Sequence, residues 1–142
     1  MERHRQRHQD PVIAATSRHF AMVTGGAFEG VVVDYDSGDQ PVLKGSRANG
    51  ERVALEAMSE GTRDQLFLSL RLAILAQRSV EPLPFIGDDL LASFDDMRTA
   101  HALDMLSDFG ASRQPILFTH HRHVADIAMD RLGARVDVIE IG

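Results

Sequence analysis

Apolar residues recur along this chain in two rhythms. Over residues 11–24, Ile13, Phe20 and Val23 return near helical spacing, which predicts a helix that Gly25-Gly26 stops. The rhythm then shortens. Residues 30–34 carry the β-branched run VVV, and 41–43 and 52–55 are further short extended pieces. The turn sequences DSGDQP and RANGE lie between them, so this stretch reads as a small antiparallel meander.

The character changes after Met58. Ser59 precedes Glu60, Gly61 and a helix that runs to about Arg78. Within 66–76 Ser69 and Arg71 alone are polar, so the pattern predicts a helix buried almost all round. Pro82 and Pro84 bracket a short apolar strand, LPFI, that leads into Gly87-Asp88-Asp89. A further helix is expected from near Asp95, with Ser93 and Asp96 spaced as a capping box. Ala102, Leu103, Leu106 and Phe109 fall on one of its faces, and Gly110 ends it. PILFT (115–119) is the next strand, followed by HHRH and a helix with Val124, Ala128 and Leu132 in line. Gly133 stops that helix and VDVIEI is expected to close the chain as a strand. Strands alternating with helices imply a parallel sheet with right-handed crossovers. Chemistry in such sheets gathers at the carboxyl ends of the strands, where this chain carries DD and HH.

Composition narrows the classes. The 142 residues are 44% hydrophobic and 25% charged, which suits one globular domain able to bury its own core. There is no cysteine, which excludes disulfides, thiolate zinc sites and a cysteine nucleophile. The densest apolar stretch, 66–76, is too short to span a bilayer, so no membrane partner is expected. The opening MERHRQRHQD is charged without an apolar centre, which argues against a secretory signal and leaves the cytoplasm as the expected location. A formal net charge of −6 argues against a free-standing nucleic-acid binder. All but one of the 15 basic residues are arginine; the exception is Lys44.

Three places could carry chemistry, and each has a plainer reading. Asp88 and Asp89 end a buried strand. One carboxylate could hold hydrated magnesium while the other activates water, or the strand could simply turn polar as it leaves the sheet. Ser59 and Gly61 stand at a helix start, where free N–H groups and the dipole attract phosphate; Ser59 could equally be only an N-cap. His120, His121 and His123 could suggest a metal site, but neighbours on a strand end point apart, so they rarely chelate one ion. A single histidine reaching a phosphate or water fits better, beside the reading of an exposed helix start.

The order of these pieces is more specific than any one of them. AMSEGTRDQL, then LPFIGDDLLASFDD, then PILFTHH resembles the C-terminal part of an ABC-type ATPase head. Within that class the chain resembles the SMC/RecF-like coiled-coil ATPases of chromosome maintenance and double-strand-break repair, and among these the YhaN-like group. The resemblance runs from about Ile13 to the end. It implies an α/β fold: the parallel-sheet C-terminal lobe of a P-loop ATPase, with the meander near its N-terminus. Residues 1–11 would be a polar stump, the end of a coiled coil, and 12–142 the lobe.

By position, MSEGT stands where that family has its LSGGQ signature, which implies that Ser59 and Gly61 contact the γ-phosphate of ATP held by an opposing head. FIGDD matches the Walker B strand, which implies that Asp88 holds Mg2+ through water and that Asp89 replaces the catalytic glutamate. Asp95 matches the D-loop aspartate at the dimer interface, and His120 the switch histidine at the γ-phosphate. Glu60 replaces a signature glycine, and Asp89 is one methylene shorter than glutamate.

A Walker A loop, GxxxxGK[ST], grips the phosphates in such ATPases. Gly25 and Gly30 have its glycine spacing, but Val31 stands at the lysine position, and Lys44-Gly45-Ser46 lacks the preceding glycines. No Walker A motif is present. In the coiled-coil ATPases it lies in an N-terminal lobe. The resemblance therefore implies half of an ATPase head that binds and hydrolyses ATP with Mg2+ only when a Walker A-containing N-terminal lobe, from the same or a separate chain, completes it. The further partners implied are a second head, DNA through the full complex, and a nuclease as an additional candidate. The alternative is a non-enzymatic remnant or interaction module that pairs with an intact head. A metal-dependent hydrolase built from DD and the histidines is a third reading, which the motif order explains less well.

Overall fold

In the computed structural model, which describes residues 10–78, 84–110 and 113–141, helix α1 (Pro11–Val23) begins at Asp10. The Asp10 carboxylate accepts from the Val12 N–H at 2.7 Å, and Pro11 occupies the first turn, where no N–H is needed. Gly25 and Gly26 follow at φ 62° and 87°, left-handed values that let the chain reverse. Chain contacts divide the protein into two units, Met1–Ser79 and Val80–Gly142.

In the first unit β1 (Gly30–Tyr35), β2 (Pro41–Ser46) and β3 (Arg52–Ala54) form the expected antiparallel meander in the order β1-β2-β3. Gly30 is opposite Ser46, and Lys44 opposite Ala54. The strand expected over 52–55 stops one residue early, because Leu55 enters a 3-10 turn, Leu55–Ala57. Ser17 on α1 serves β1 as a substitute strand: its Oγ accepts from the Val31 N–H at 2.7 Å and donates to the Val31 carbonyl at 3.2 Å. The core beneath holds Phe20 and Phe28, rings 4.9 Å apart, with Val31 and Met58.

Helix α2 (Glu60–Arg78) packs against α1. It buries Gln65, Leu66, Leu68, Ser69, Leu72 and Ala73. The expectation of burial all round is not met: Phe67 is 50% exposed and Ile74 38%. One neighbouring helix covers one stripe of a helix, and residues off that stripe stay open however apolar they are.

The second unit contains β4 (Phe85–Asp88) and β5 (Pro115–Phe118), paired in parallel with Phe85 beside Pro115 and Asp88 beside Phe118. Pro82 and Leu83 lie outside the described residues. Helices α3 (Asp96–Phe109) and α4 (Arg122–Leu132) pack on each other. The predicted stripes Ala102, Leu103, Leu106, Phe109 and Val124, Ala128, Leu132 are all buried, and Phe85 meets Phe109 edge to face at 6.3 Å. Two expectations fail. The cap of α3 is Asp95, whose Oδ1 accepts from the Arg98 N–H at 2.8 Å, and not a Ser93–Asp96 box. Asp95 directly precedes the first helical residue, the position from which a side-chain oxygen reaches the free N–H groups of the first turn. The terminal VDVIEI forms no strand: among the described residues, 136–141 join neither sheet, and Ile139 is 80% and Ile141 77% exposed. An alternating pattern specifies a strand only where a neighbour accepts its hydrogen bonds.

Candidate active site

The carboxyl end of the β4–β5 pair is built by one glycine. A Cβ on Gly87 would collide with the Leu90 side chain and stand 3.1 Å from Leu117 Cδ2. Glycine at 87 therefore lets the chain fold back over its own strand, and buried Leu91 and Phe94 anchor the turn that follows. Asp88 is the last strand residue and is exposed. Asp89 follows with φ 55°, a left-handed conformation that aspartate tolerates better than most residues. Its N–H still donates to the Phe118 carbonyl at 2.8 Å, so it extends the parallel ladder by one rung. Strain of this kind gathers where a side chain must be aimed.

Asp89 Oδ1 is sealed from solvent and accepts no hydrogen bond from the described residues. Its neighbour is His121, whose Nε2 lies 4.0 Å away. His121 is the N-cap residue of α4, and its backbone N–H donates to Thr119 Oγ1 at 3.1 Å. His123 stacks obliquely on it, with ring centroids 5.6 Å apart. His120 lies exposed between β5 and α4. The structure thus places Asp88 and Asp89 at the end of β4 and brings His121, at the start of α4, beside Asp89. The sequence pattern named His121 within the HHRH cluster but did not single it out as the neighbour of Asp89. The signal was its place as the last residue before a helix, directly across the strand pair from DD. Among the described residues no three histidine, aspartate or glutamate side chains converge to hold a metal ion.

Asp95, expected at a dimer interface, caps α3 and binds Arg98 Nη1 through Oδ2 at 3.0 Å. Ser59 and Gly61 lie in the first unit, at the start of α2. The Ser59 Oγ accepts from the Thr62 N–H at 3.2 Å and donates to Thr62 Oγ1 at 2.8 Å, which is helix-cap bonding. The donor set at β4 fits hydrated magnesium with a nucleotide: an exposed carboxylate at Asp88 suits a hard cation held through water, and the Asp89 carboxylate, 39% exposed as a side chain, suits a proton acceptor.

No protein-family model matches the sequence. Over 128 residues, 89% of the chain, it is 30% identical to the uncharacterized protein YhaN of Bacillus subtilis strain 168, and it spans 13% of that protein's length. The SMC head domain from Thermotoga maritima superposes with a TM-score of 0.64 at 17% identity, over 89% of this chain and 42% of that one. A structure solved in work on ATP-driven dimerization and DNA-stimulated activation of SMC ATPases gives a TM-score of 0.59 at 20% identity, over 85% of this chain and 74% of that one. At these identities the likeness to the solved structures is one of fold. In fold, then, the chain is similar to SMC head domains, and in sequence it is similar to YhaN.

Proposed function

We propose that this chain is the C-terminal half of an SMC-like ATPase head, contributing signature and Walker B elements to Mg-ATP hydrolysis at a head–head interface that serves DNA repair or chromosome maintenance. The observation that carries the reading is Asp88 followed by a left-handed Asp89, whose Oδ1 accepts no hydrogen bond from the described residues, at the end of a parallel strand pair. Bound Mg-ATP would supply the electrophilic phosphorus and the charge that neutralises the phosphate oxygens. Asp88, exposed at the strand end, holds the hydrated cation. Asp89 accepts the proton of the attacking water, and His120 reaches the γ-phosphate. Asp95 lines the interface. Ser59 and Gly61 present the N-terminus of α2 to ATP on the opposite head, where free N–H groups and the dipole favour phosphate.

An N-terminal lobe carrying Walker A completes the site. Supporting this are the sequence similarity to YhaN, of which the chain spans 13%, and the fold likeness to a structure from work on ATP-driven dimerization of SMC ATPases. Light scattering on the completed head with saturating ATP tests the trans role of the signature. Ser59→Arg puts a bulky cation at the docking point, so that variant should bind ATP and stay unpaired. If it pairs like the parent, MSEGT is only a helix cap.

A further inference from the structure

We propose that His121 is a positioning residue for Asp89: its imidazole Nε2 holds the carboxylate in the orientation from which it accepts the proton of the attacking water. The inference rests on the ATPase reading above and adds to it a residue with no assigned role.

The first support is the state of the acceptor. Asp89 Oδ1 is sealed from water and accepts no hydrogen bond from the described residues, while the side chain as a whole stays 39% exposed, so that one oxygen is open to a donor from the protein and the rest of the carboxylate to water. His121 Nε2, at 4.0 Å, is that group. The separation exceeds a hydrogen bond, and such contacts tighten on forming the reactive complex. The second support is what His121 does not do. It occupies the N-cap of α4, a position that serine, threonine, aspartate and asparagine favour because their side chains bond the helix N–H groups. The His121 side chain makes no such bond. Its backbone is fixed instead: the N–H donates to Thr119 Oγ1 at 3.1 Å, and the carbonyl accepts from Val124 at 3.0 Å. The ring is left to face Asp89, limited on one side by the His123 ring.

The third support is rigidity. Asp89 N–H bonds the Phe118 carbonyl at 2.8 Å, which ties it to the end of β5, and His121 follows three residues on as the N-cap of α4. A side chain at a helix start joined to the strand by so short a connection keeps its place better than one on a free loop. His120 and His121 therefore divide the work, one toward phosphate and one toward the base.

The test uses the 142-residue chain without nucleotide. Ring 15N resonances of the histidines are recorded at fixed pH in the parent and in Asp89→Asn, which keeps a residue tolerant of the left-handed backbone. Asp89→Asn should move the His121 ring nitrogens by more than the line width and leave His120 in place; Asp88→Asn should move neither. An unmoved His121 ring, or a response at His120 instead, overturns the pairing. In the completed head, His121→Gln should lower kcat about 10–10²-fold with KM for ATP unchanged, and His121→Ala should lower it further. A raised KM with unchanged kcat also overturns the proposal. The spectra need no ATP, so a head that fails to hydrolyse it overturns the ATPase reading and leaves the spectral result as it is.

Discussion

Gln65, the first residue of the buried stripe of α2, donates its Nε2 proton to the Val23 carbonyl of α1 at 2.7 Å. Val23 is the last residue of its helix, so its carbonyl has no intrahelical partner, and the bond lies wholly in the interior. Gln65→Met keeps the shape and removes the donor. The orphaned carbonyl should cost about 1–3 kcal/mol, read as a lower urea midpoint by circular dichroism. An unchanged midpoint would mean that Val23 finds another donor.

In the second unit Arg131 clamps both oxygens of Asp104, with Nη2 to Oδ2 at 2.7 Å and Nε to Oδ1 at 3.1 Å, tying α4 to α3. The Arg131 hydrogen bonds hold the Asp104 carboxyl below its ordinary value of 3.8. Because the folded value is the lower one, the stabilisation is fully present above 3.8 and fades as pH falls through the folded value. Asp104→Asn should therefore melt below the parent at neutral pH, with the difference shrinking as the buffer is taken from about pH 5 to about pH 2. A gap that persists undiminished in acid would assign it to packing.

Much of this was legible in the residues, and what was not failed for identifiable reasons. Val124, Ala128 and Leu132 announce their buried face because helical spacing alone decides which side chains share a stripe. The meander is legible from β-branched runs between glycine and aspartate turns. Phe67 and Ile74 misled, since apolar density does not say whether a second neighbour exists to cover them. Residues 136–141 misled in the same way: alternation shows what a strand would bury, and pairing is a property of distant chain. At the candidate site DD and HH were visible as composition. The left-handed turn at Asp89 was not, and neither was the choice of His121 over His120 as its neighbour, because both depend on how the chain leaves two parallel strands together.

Gly87 makes that exit possible. Gly87→Ala drives a methyl into Leu90 and against Leu117, which should cost about 1–3 kcal/mol of stability and disturb Asp88 and Asp89. Truncating the obstacle in Gly87→Ala/Leu90→Ala should recover part of the thermal midpoint. Additive losses in the double variant would show that Leu90 is not the group that excludes a side chain at 87.

ATP turnover by one protein in two states tests the central claim most directly. Alone, the chain should show no hydrolysis of Mg-ATP, because it has no Walker A loop to grip the phosphates. Joined to a Walker A-containing lobe that folds and binds ATP, it should turn over, and Asp89→Asn in that head should reduce the rate about 10²–10⁴-fold while ATP binding persists. Turnover by the isolated chain, a completed head that binds ATP without hydrolysing it, or an Asp89→Asn head as fast as the parent would each contradict the account.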